Sequence, residues 1–174
     1  ILSQISVIVP IFNGVAYLPA FFESLAAALP EGSQVVLVDD GSTEAVWDTV
    51  PALPRAAAVL RLQNLSNLGY AAAVNRGFDV ATGDIVVQLN TDLVLQPTCI
   101  TAMVDLIHRE DRVGVVGSKL LFPTTGLAEH VGMAFGNFTK HRVFAQLPAD
   151  HALCNVTREL QIVSGGGTAK SLRL

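Results

Sequence analysis

The sequence has few cysteines, few charged residues and no long apolar run. Cys99 and Cys154 are too few and too far apart for a zinc site or a disulfide framework, so we expect both to be small buried apolar residues. Charged residues make up only 15% of the chain, and the net charge of −4 includes no basic run, which argues against a nucleic-acid partner. The apolar stretches are interrupted, for example by Glu23, before they reach the ~20 residues that cross a bilayer. The sequence therefore predicts no transmembrane segment and leaves only peripheral membrane association open.

The abundant apolar residues indicate a large buried core. Hydrophobic residues make up 51% of the 174-residue chain, which excludes a disordered protein. A chain of this length can bury a core without metal or disulfides, so we expect a single domain over residues 1–174. The first residues contain neither an initiator methionine nor a signal peptide, so we interpret the start as excised or processed and expect a cytoplasmic protein.

Short β-branched runs alternate with segments of helical periodicity along the first part of the chain. Strands are predicted at Ile5–Val9, Val35–Val38, Val59–Leu62, Ile85–Leu89 and Val113–Val116. Helices are predicted at 18–29, from Ser42 or Thr43 to about Val50, at Gly69–Ala81 with Gly83 closing it, and from Pro97 to about Glu110. This order predicts an α/β fold with a mostly parallel central sheet flanked by helices. Beyond Pro123 only two short strands are expected, near Val131–Phe135 and Leu160–Val163.

Polar and acidic residues follow four of the predicted strands. These segments are Pro10 to Asn13, Asp39 to Ser42, Asn64 to Gly69, and Asn90 to Asp92. In an open α/β sheet the ligand lies beyond the carboxyl ends of the strands, so we expect the four loops to form one crevice.

The residue types in these loops suit a nucleotide and a cation. A carboxylate such as Asp39 or Asp40 can accept a hydrogen bond from a pyrimidine N3–H or a ribose hydroxyl, and Phe12 offers a flat apolar surface to a base. Asp92 can hold a divalent cation, because magnesium commonly takes one or two protein carboxylates together with substrate phosphates. Asp39 and Asp40 have a plainer alternative, since Asp-Gly-Ser is also a common turn that caps a helix.

Four sequence stretches carry a resemblance to a known family. The runs ISVIVPIFNG (5–14), VVLVDDGST (35–43), NLGYAAAVNRG (67–77) and TGDIVVQLNTD (82–92) resemble the successive signatures of family 2 glycosyltransferases. Residues 113–136 are also similar to bacterial members that build O-antigen, including rhamnosyltransferase-like enzymes. The likeness covers residue 5 to about 136 and continues more weakly to about 167.

This resemblance implies a nucleotide-diphosphosugar transferase (GT-A-like) fold, with a nucleotide-binding half over 1–117 and a partial acceptor half over 118–174. It implies inverting transfer of a sugar from a UDP- or dTDP-linked donor to a glycan or lipid-linked acceptor, assisted by Mg²⁺ or Mn²⁺. Asp92 and Asn90 carry over as metal-binding residues. The implied nucleotide-binding residues are Pro10, Ile11, Phe12, Asn13, Asp39, Asp40, Asn67, Gly69, Asn75, Arg76 and Thr91.

The sequence departs from the family pattern at two places. Asn90 stands where the family's metal-binding Asp-x-Asp motif has its first aspartate, and an amide oxygen can still ligate a metal or hold a coordinated water. The family's general base lies beyond the segment that here is the glycine-rich run 163–167, and this sequence ends seven residues after that run, before the position expected for the base. We therefore assign no catalytic base and expect a truncated acceptor half. Glu129, Asp150 and Glu159 are the carboxylates that could substitute.

Two other functions are weighed against the transferase. One is a truncated module that binds a nucleotide sugar without transferring it. The other is an oxidoreductase, which is disfavoured because no Gly-x-Gly-x-x-Gly follows the first strand. The run Gly165–Gly167 lacks the Lys-Ser/Thr of a phosphate-binding P-loop, so we interpret it as a turn or close packing. The histidines have no metal-ligand spacing, although His130 lies in a segment expected to border the sugar.

Overall fold

The computed structural model describes residues 4–136 and 139–172, which form an α/β fold. The three α-helices are α1 (Leu18–Ala28), α2 (Tyr70–Phe78) and α3 (Cys99–Arg109). The strands are β1 (Ile5–Ile11), β2 (Ser33–Asp39), β3 (Ala56–Gln63), β4 (Ile85–Leu89), β5 (Val115–Gly117), β6 (Leu120–Leu121), β7 (Ala128–His130), β8 (Met133–Gly136), β9 (Thr139–Arg142) and β10 (Gly167–Ser171). Short 3-10 helices lie at Val46–Thr49 and Ala152–Cys154.

Six strands form the central sheet in the order β3-β2-β1-β4-β10-β5. Strands β3, β2, β1 and β4 are parallel neighbours, and β10 runs antiparallel to both β4 and β5. The mostly parallel sheet predicted from the sequence is therefore confirmed. The glycine-rich segment supplies an unpredicted element, because Gly167 begins the strand that separates β4 from β5. The short strands β6 with β7 and β8 with β9 form two separate antiparallel pairs.

Helices cover both faces of the sheet because the central strands are apolar on both sides. Alternate residues of β1, such as Val7 and Val9, pack with α1 and α3 in the larger core cluster. Ile8 faces the opposite side and packs with Ala73 of α2 in a smaller cluster. This arrangement places the first turn of α2 beside the carboxyl ends of the strands. Among the described residues, no helix combines the length and hydropathy needed to cross a bilayer.

Glycine permits the close approach of α2 to β1. A Cβ built on Gly77 would lie 2.5 Å from Cγ2 of Ile8, which is itself fully buried. We therefore expect Gly77→Ala to destabilise the fold by about 1–3 kcal/mol through overpacking. Urea unfolding followed by circular dichroism measures this loss. Gly114→Ala is the matched control, because its Cβ would meet no atom within 4 Å, and equal stability of the two variants would contradict the packing account.

Several local expectations are corrected by the structure. The helix expected from Ser42 or Thr43 to Val50 is only the short 3-10 helix Val46–Thr49, because the hydroxyls of Ser42 and Thr43 bond to Asn13 and do not cap it. Gly83 does not close α2, which ends at Phe78, and a Cβ there would collide with the backbone of β1. The strand expected near Leu160–Val163 is reduced to a single bridge between Ile162 and Met133. The expected strand near Val131–Phe135 is β8.

Candidate functional site

A pocket opens where β1 and β2 end beside the first turn of α2. The space inside it, including the part that is open to solvent, is about 410 Å³. Phe12 is half exposed at its rim, whereas Ile11 and Asp40 are buried in its wall. The lining residues are Pro10, Ile11, Phe12, Asp40, Asn67, Tyr70 and Ala73. The structure thus brings the loops after the first three strands together, whereas no residue of the fourth loop expected in the crevice, Asn90 to Asp92, lines the pocket.

The carboxylate of Asp40 organises the loop that follows β3. Its Oδ1 accepts hydrogen bonds from Nδ2 of Asn64 at 2.7 Å and from the Leu68 N–H at 3.0 Å. Its Oδ2 accepts the Gly69 N–H at 2.8 Å. A carboxylate has about four lone-pair sites, so these three bonds leave one site on Oδ2 without a donor among the described residues.

These bonds decide the charge state of Asp40. Burial alone would raise its pKa, but the hydrogen bonds from Leu68, Asn64 and Gly69 outweigh burial and hold the pKa of Asp40 below its ordinary value. The carboxylate is therefore ionised at neutral pH, which suits an acceptor of N–H or hydroxyl protons.

A pH-dependent stability follows from the lowered pKa of Asp40. Its stabilising contribution is fully present above the ordinary carboxyl pKa of about 3.9 and is lost as the pH falls towards the lower folded-state value. We expect the difference in unfolding free energy between wild type and Asp40→Asn to shrink as the pH falls from about 5 to about 2.5. Urea titrations across that range measure it, and a constant difference would contradict an ionised, hydrogen-bonded Asp40.

Arg76 also bonds to the start of the loop that follows β3. Its guanidinium donates hydrogen bonds to the backbone oxygen of Gln63, at 2.8 Å, and to Oδ1 of Asn64. Asn64 in turn donates to Asp40, so the three side chains form one chain of contacts. The structure thus shows Arg76, which the resemblance places near the diphosphate, bonded to the loop and not lining the pocket.

The loops after β1 and β2 are joined by reciprocal bonds. The backbone N–H of Asn13 donates to Oγ of Ser42 at 2.8 Å, and Oδ1 of Asn13 accepts the Thr43 N–H at 2.8 Å. Asn13 adopts a left-handed conformation with φ 53°, which asparagine tolerates better than most residues. The Ser42 N–H donates to Oδ1 of Asp39 at 2.9 Å, which closes the turn. Asn13 and Asp39 therefore shape the loops, and neither lines the pocket.

A polar cluster connects α2 with the end of β4 and with the glycine-rich segment. Nε2 of Gln88 donates to the hydroxyl oxygen of Tyr70 at 2.6 Å and to the backbone oxygen of Gly165 at 2.7 Å. The Tyr70 hydroxyl lies 2.9 Å from Oδ1 of Asn90 and donates to it. Burial raises the pKa of Tyr70, and the negative charge of Asp92 raises it further. The hydrogen bond from Gln88 lowers this pKa but does not cancel the rise.

The residues after β4 offer a single carboxylate to a cation. Asp92 is exposed, and its charge acts on Tyr70 at the pocket wall. The described residues contain no group of three or more His, Cys, Asp or Glu side chains that could hold a metal alone. A cation at Asp92 would therefore need oxygens from a ligand, as magnesium commonly does.

The remaining predicted site residues are not all at the pocket. Asn67 lines it and accepts the Gly69 N–H at 2.9 Å, whereas Asn75 is exposed on α2 and does not line it. Thr91 is half-buried between Asn90 and Asp92 and does not line it either. Their assignment as nucleotide-binding residues stays a prediction.

Two residues of the polar cluster were missed at the sequence level. Tyr70 lies within the helix predicted at Gly69–Ala81 and is not among the predicted site residues, yet its half-exposed side chain lines the pocket. Gln88 lies within the predicted apolar strand Ile85–Leu89. It is only 4% exposed, and its amide bonds to Tyr70 and Gly165. A lone glutamine in the run Ile85–Leu89 was the available signal, because a buried amide needs hydrogen-bond partners.

The second half of the chain contains the residues considered for proton transfer. Glu129 forms an ion pair with Arg142 at 3.6 Å, and none of Glu129, Asp150 and Glu159 lines the pocket. His130 is buried, and its Nε2 has no hydrogen-bond partner among the described residues. Burial and the nearby Arg142 lower the pKa of His130, opposed by Glu129, so the imidazole is neutral at pH 7.

The fold and the pocket together define an α/β protein with a ligand crevice at the carboxyl edge of a mostly parallel sheet. The family model Glycosyl transferase family 2 matches residues 6–157. The chain therefore belongs to glycosyl transferase family 2, as its sequence signatures indicate.

Curated relatives and solved structures agree with this family. The chain is 32% identical over 123 residues to the undecaprenyl-phosphate 4-deoxy-4-formamido-L-arabinose transferase of Serratia proteamaculans, covering 67% of this chain and 37% of that protein. It is 34% identical over 119 residues to the dodecaprenyl-phosphate galacturonate synthase of Rhizobium johnstonii, covering 66% and 35%. The chain thus spans about a third of the length of these relatives.

The solved structures show the fold. The mannosyltransferase PcManGT from Pyrobaculum calidifontis, in complex with GDP-Man and Mn²⁺, has a TM-score of 0.62 and 23% identity, covering 71% of this chain and 37% of that one. S. aureus TarS 1-349 in complex with UDP-GlcNAc has a TM-score of 0.57 and 22% identity, covering 67% and 34%. The expected nucleotide-diphosphosugar transferase (GT-A) fold is confirmed.

Proposed function

We propose that this chain binds the nucleotide-sugar donor of an inverting, metal-assisted glycosyltransferase. The observation that carries the proposal is the pocket in which an exposed aromatic ring, Phe12, stands beside a buried ionised carboxylate, Asp40. An aromatic face and a hydrogen-bond acceptor are what a pyrimidine base requires. Solved proteins of the same fold with UDP-GlcNAc or GDP-Man bound support a nucleoside diphosphate as the ligand.

The pocket and the loop after β4 have different proposed roles. Pro10, Ile11 and Phe12 flank the base, and the remaining lone pair on Oδ2 of Asp40 accepts a proton from the base or ribose. Asp92 holds Mg²⁺ or Mn²⁺ together with oxygens of the diphosphate, and the cation stabilises the charge that develops on the leaving diphosphate. A donor linked to UDP or dTDP fits these contacts.

The proposed acceptor is the phosphate or hydroxyl of a lipid-linked substrate or a glycan. The names of the relatives in Serratia proteamaculans and Rhizobium johnstonii include a polyprenyl phosphate, which supports the lipid-linked alternative. A peripheral association with the membrane would accompany such an acceptor. The cytoplasmic location stays a prediction. The division of the chain into a nucleotide-binding half and a partial acceptor half also stays a prediction.

A second candidate is a module that binds the donor without transferring the sugar. It is favoured by the absence of Glu129, Asp150 and Glu159 from the pocket lining. General-base assistance is typically worth about 10²–10⁴-fold in rate, so its loss would leave transfer near background.

We expect the 174-residue chain, assayed alone, to bind donor but to transfer little or no sugar. Steady turnover on a defined acceptor would contradict this, and Glu→Gln or Asp→Asn variants of the three residues would then identify the base.

A thermal-shift screen tests the proposed function. Nucleotide sugars and NAD are compared with and without Mg²⁺ or Mn²⁺. A donor present at about 100 times its dissociation constant adds about 2.7 kcal/mol of stability, which is about 5–10 °C for a domain of this size. We expect a UDP- or dTDP-linked sugar to give this shift chiefly with metal. Stabilisation by NAD alone would contradict the proposal.

A further inference from the structure

The side chain of Asn64 is held between a group that only donates hydrogen bonds and a group that only accepts them. The guanidinium of Arg76 has no acceptor atom, so the Asn64 atom that faces it must be Oδ1. The ionised carboxylate of Asp40 has no proton to give, so the Asn64 atom 2.7 Å from its Oδ1 must be Nδ2. Both neighbours therefore require the same orientation of the Asn64 amide.

Asn64 is fixed in place by its backbone and by its burial. It is only 5% exposed, and its backbone N–H donates to the oxygen of Asp39 at 2.8 Å, which ties it to the end of β2. Among the described residues, Arg76 is the donor that its Oδ1 has. Removal of that donor would leave a buried amide oxygen without a partner, which favours a rotation of the amide away from Asp40.

Arg76 makes no other polar contact that would explain its position. It is half-buried on α2, and it does not line the pocket. No carboxylate among residues 4–136 and 139–172 forms an ion pair with it. Its hydrogen bonds go to the backbone oxygen of Gln63 and to Asn64, and through Asn64 the contacts lead to Asp40, which does line the pocket.

We infer that Arg76 is a positioning residue for nucleoside recognition, because it fixes the amide of Asn64, which in turn fixes the carboxylate of Asp40. This inference rests on the proposed function, in which Oδ2 of Asp40 accepts a proton from the base or ribose. It assigns Arg76 to the nucleoside end of the donor, and not to the diphosphate near which the family resemblance places it.

The test compares uridine with UDP in titrations followed by nuclear magnetic resonance, both in the presence of Mg²⁺. Arg76→Met keeps a long side chain but removes its donors. We expect it to weaken the binding of uridine and of UDP by the same factor, about three- to tenfold, because the loss lies at the nucleoside end. Its combination with Asn64→Ala should bind like Asn64→Ala alone, since Arg76 acts through Asn64.

Arg55→Met is the matched control. Arg55 is exposed, donates to the backbone oxygen of Leu29 at 3.3 Å and does not line the pocket. Its loss removes the same charge and a similar hydrogen bond at a place that has no contact with Asp40. The Arg55→Met variant should therefore bind both ligands like wild type.

The acidic limit of uridine binding is a readout that a merely structural role of Arg76 would not move. Burial raises the pKa of Asp40, and the hydrogen bond from Asn64 is one of the three that lower it. When Arg76 no longer holds Asn64, Asp40 should become protonated at a higher pH, so uridine affinity should begin to fall at a higher pH than in wild type. Asp39 and Tyr70, the titratable residues next to Asp40 in the chain and on the pocket wall, are present in both proteins.

The outcomes separate this inference from the proposed function. If Arg76→Met loses affinity for UDP but binds uridine like wild type, Arg76 contacts the diphosphate and the inference is wrong. It is equally overturned if wild type binds UDP but not uridine, if the effects of Arg76→Met and Asn64→Ala add, or if the acidic limit does not move. If wild type binds neither ligand, the proposed function fails together with the inference.

Circular dichroism spectra that match wild type establish that the variants are folded. If Arg76→Met is unfolded, Arg76→Lys takes its place, because it keeps one donor for Oδ1 of Asn64. The losses of Arg76→Lys should be smaller but again equal for uridine and UDP, and a loss confined to UDP would overturn the inference.

Discussion

The Asp92→Ala variant is expected to bind UDP equally well with and without Mn²⁺. Asp92 is the exposed carboxylate beside the polar cluster, and the described residues offer no group of three acidic, histidine or cysteine ligands that could retain the cation without it. We expect wild type to gain at least about tenfold in UDP affinity from Mn²⁺, equivalent to ~1.4 kcal/mol, and the variant to gain nothing. Calorimetric titrations with and without Mn²⁺ measure both affinities.

The control for this variant is Asp105→Ala, which removes an exposed carboxylate of α3. It should retain the full metal-dependent gain. In EDTA, wild type, Asp92→Ala and Asp105→Ala should bind UDP alike, because Asp92 acts through the cation. A metal-dependent gain that survives in Asp92→Ala would show that the cation lies elsewhere.

The Asp40→Ala variant is expected to lose both stability and nucleotide affinity. The substitution leaves the donors of Asn64, Leu68 and Gly69 without their acceptor, which should cost about 2–4 kcal/mol of unfolding free energy. UDP binding should weaken more than tenfold whether or not Mn²⁺ is present, because the loss lies at the nucleoside end of the pocket. Urea unfolding and calorimetry measure the two effects.

Two further variants separate the contributions of Asp40. Asp48→Ala, at an exposed position of the 3-10 helix, should change neither quantity by more than about 0.5 kcal/mol. Asp40→Asn keeps the shape and one acceptor oxygen, so its loss of stability should be intermediate. A stable Asp40→Ala variant with normal UDP affinity would contradict the proposed role of Asp40 in the nucleotide site.

The sequence predicts the parallel part of the sheet well, because β1, β2 and β4 are buried on both faces and appear as continuous apolar runs. It fails for β10, whose residues Gly167–Ser171 form a central strand only by pairing with β4 and β5. Such pairing is a tertiary effect that local propensity does not contain.

The site, like the sheet, is predicted only in part from the sequence. Residues that follow β1, β2 and β3 line the pocket, because the carboxyl ends of parallel strands meet at one edge, whereas Asn90 to Asp92 after β4 do not line it. Spacing along the chain cannot say which polar side chain turns inward. Asn13 and Arg76 bond to loops that are distant in the sequence. Tyr70 lies at helical spacing from the buried Ala73 and Gly77, yet its hydroxyl bonds with Gln88 and Gly165.

Nuclear magnetic resonance of the isotopically labelled chain with UDP and Mn²⁺ tests the central claim most directly. Chemical-shift changes locate the nucleoside, and paramagnetic broadening by Mn²⁺ locates the cation in the same sample. We expect UDP to shift the amide signals of Phe12, Asp40 and Asn67, and Mn²⁺ to broaden those of Asn90–Asp92 once UDP is present. Absence of any UDP-dependent shift, or shifts and broadening centred on the segment around His130, would contradict a donor site at the carboxyl edge of the sheet.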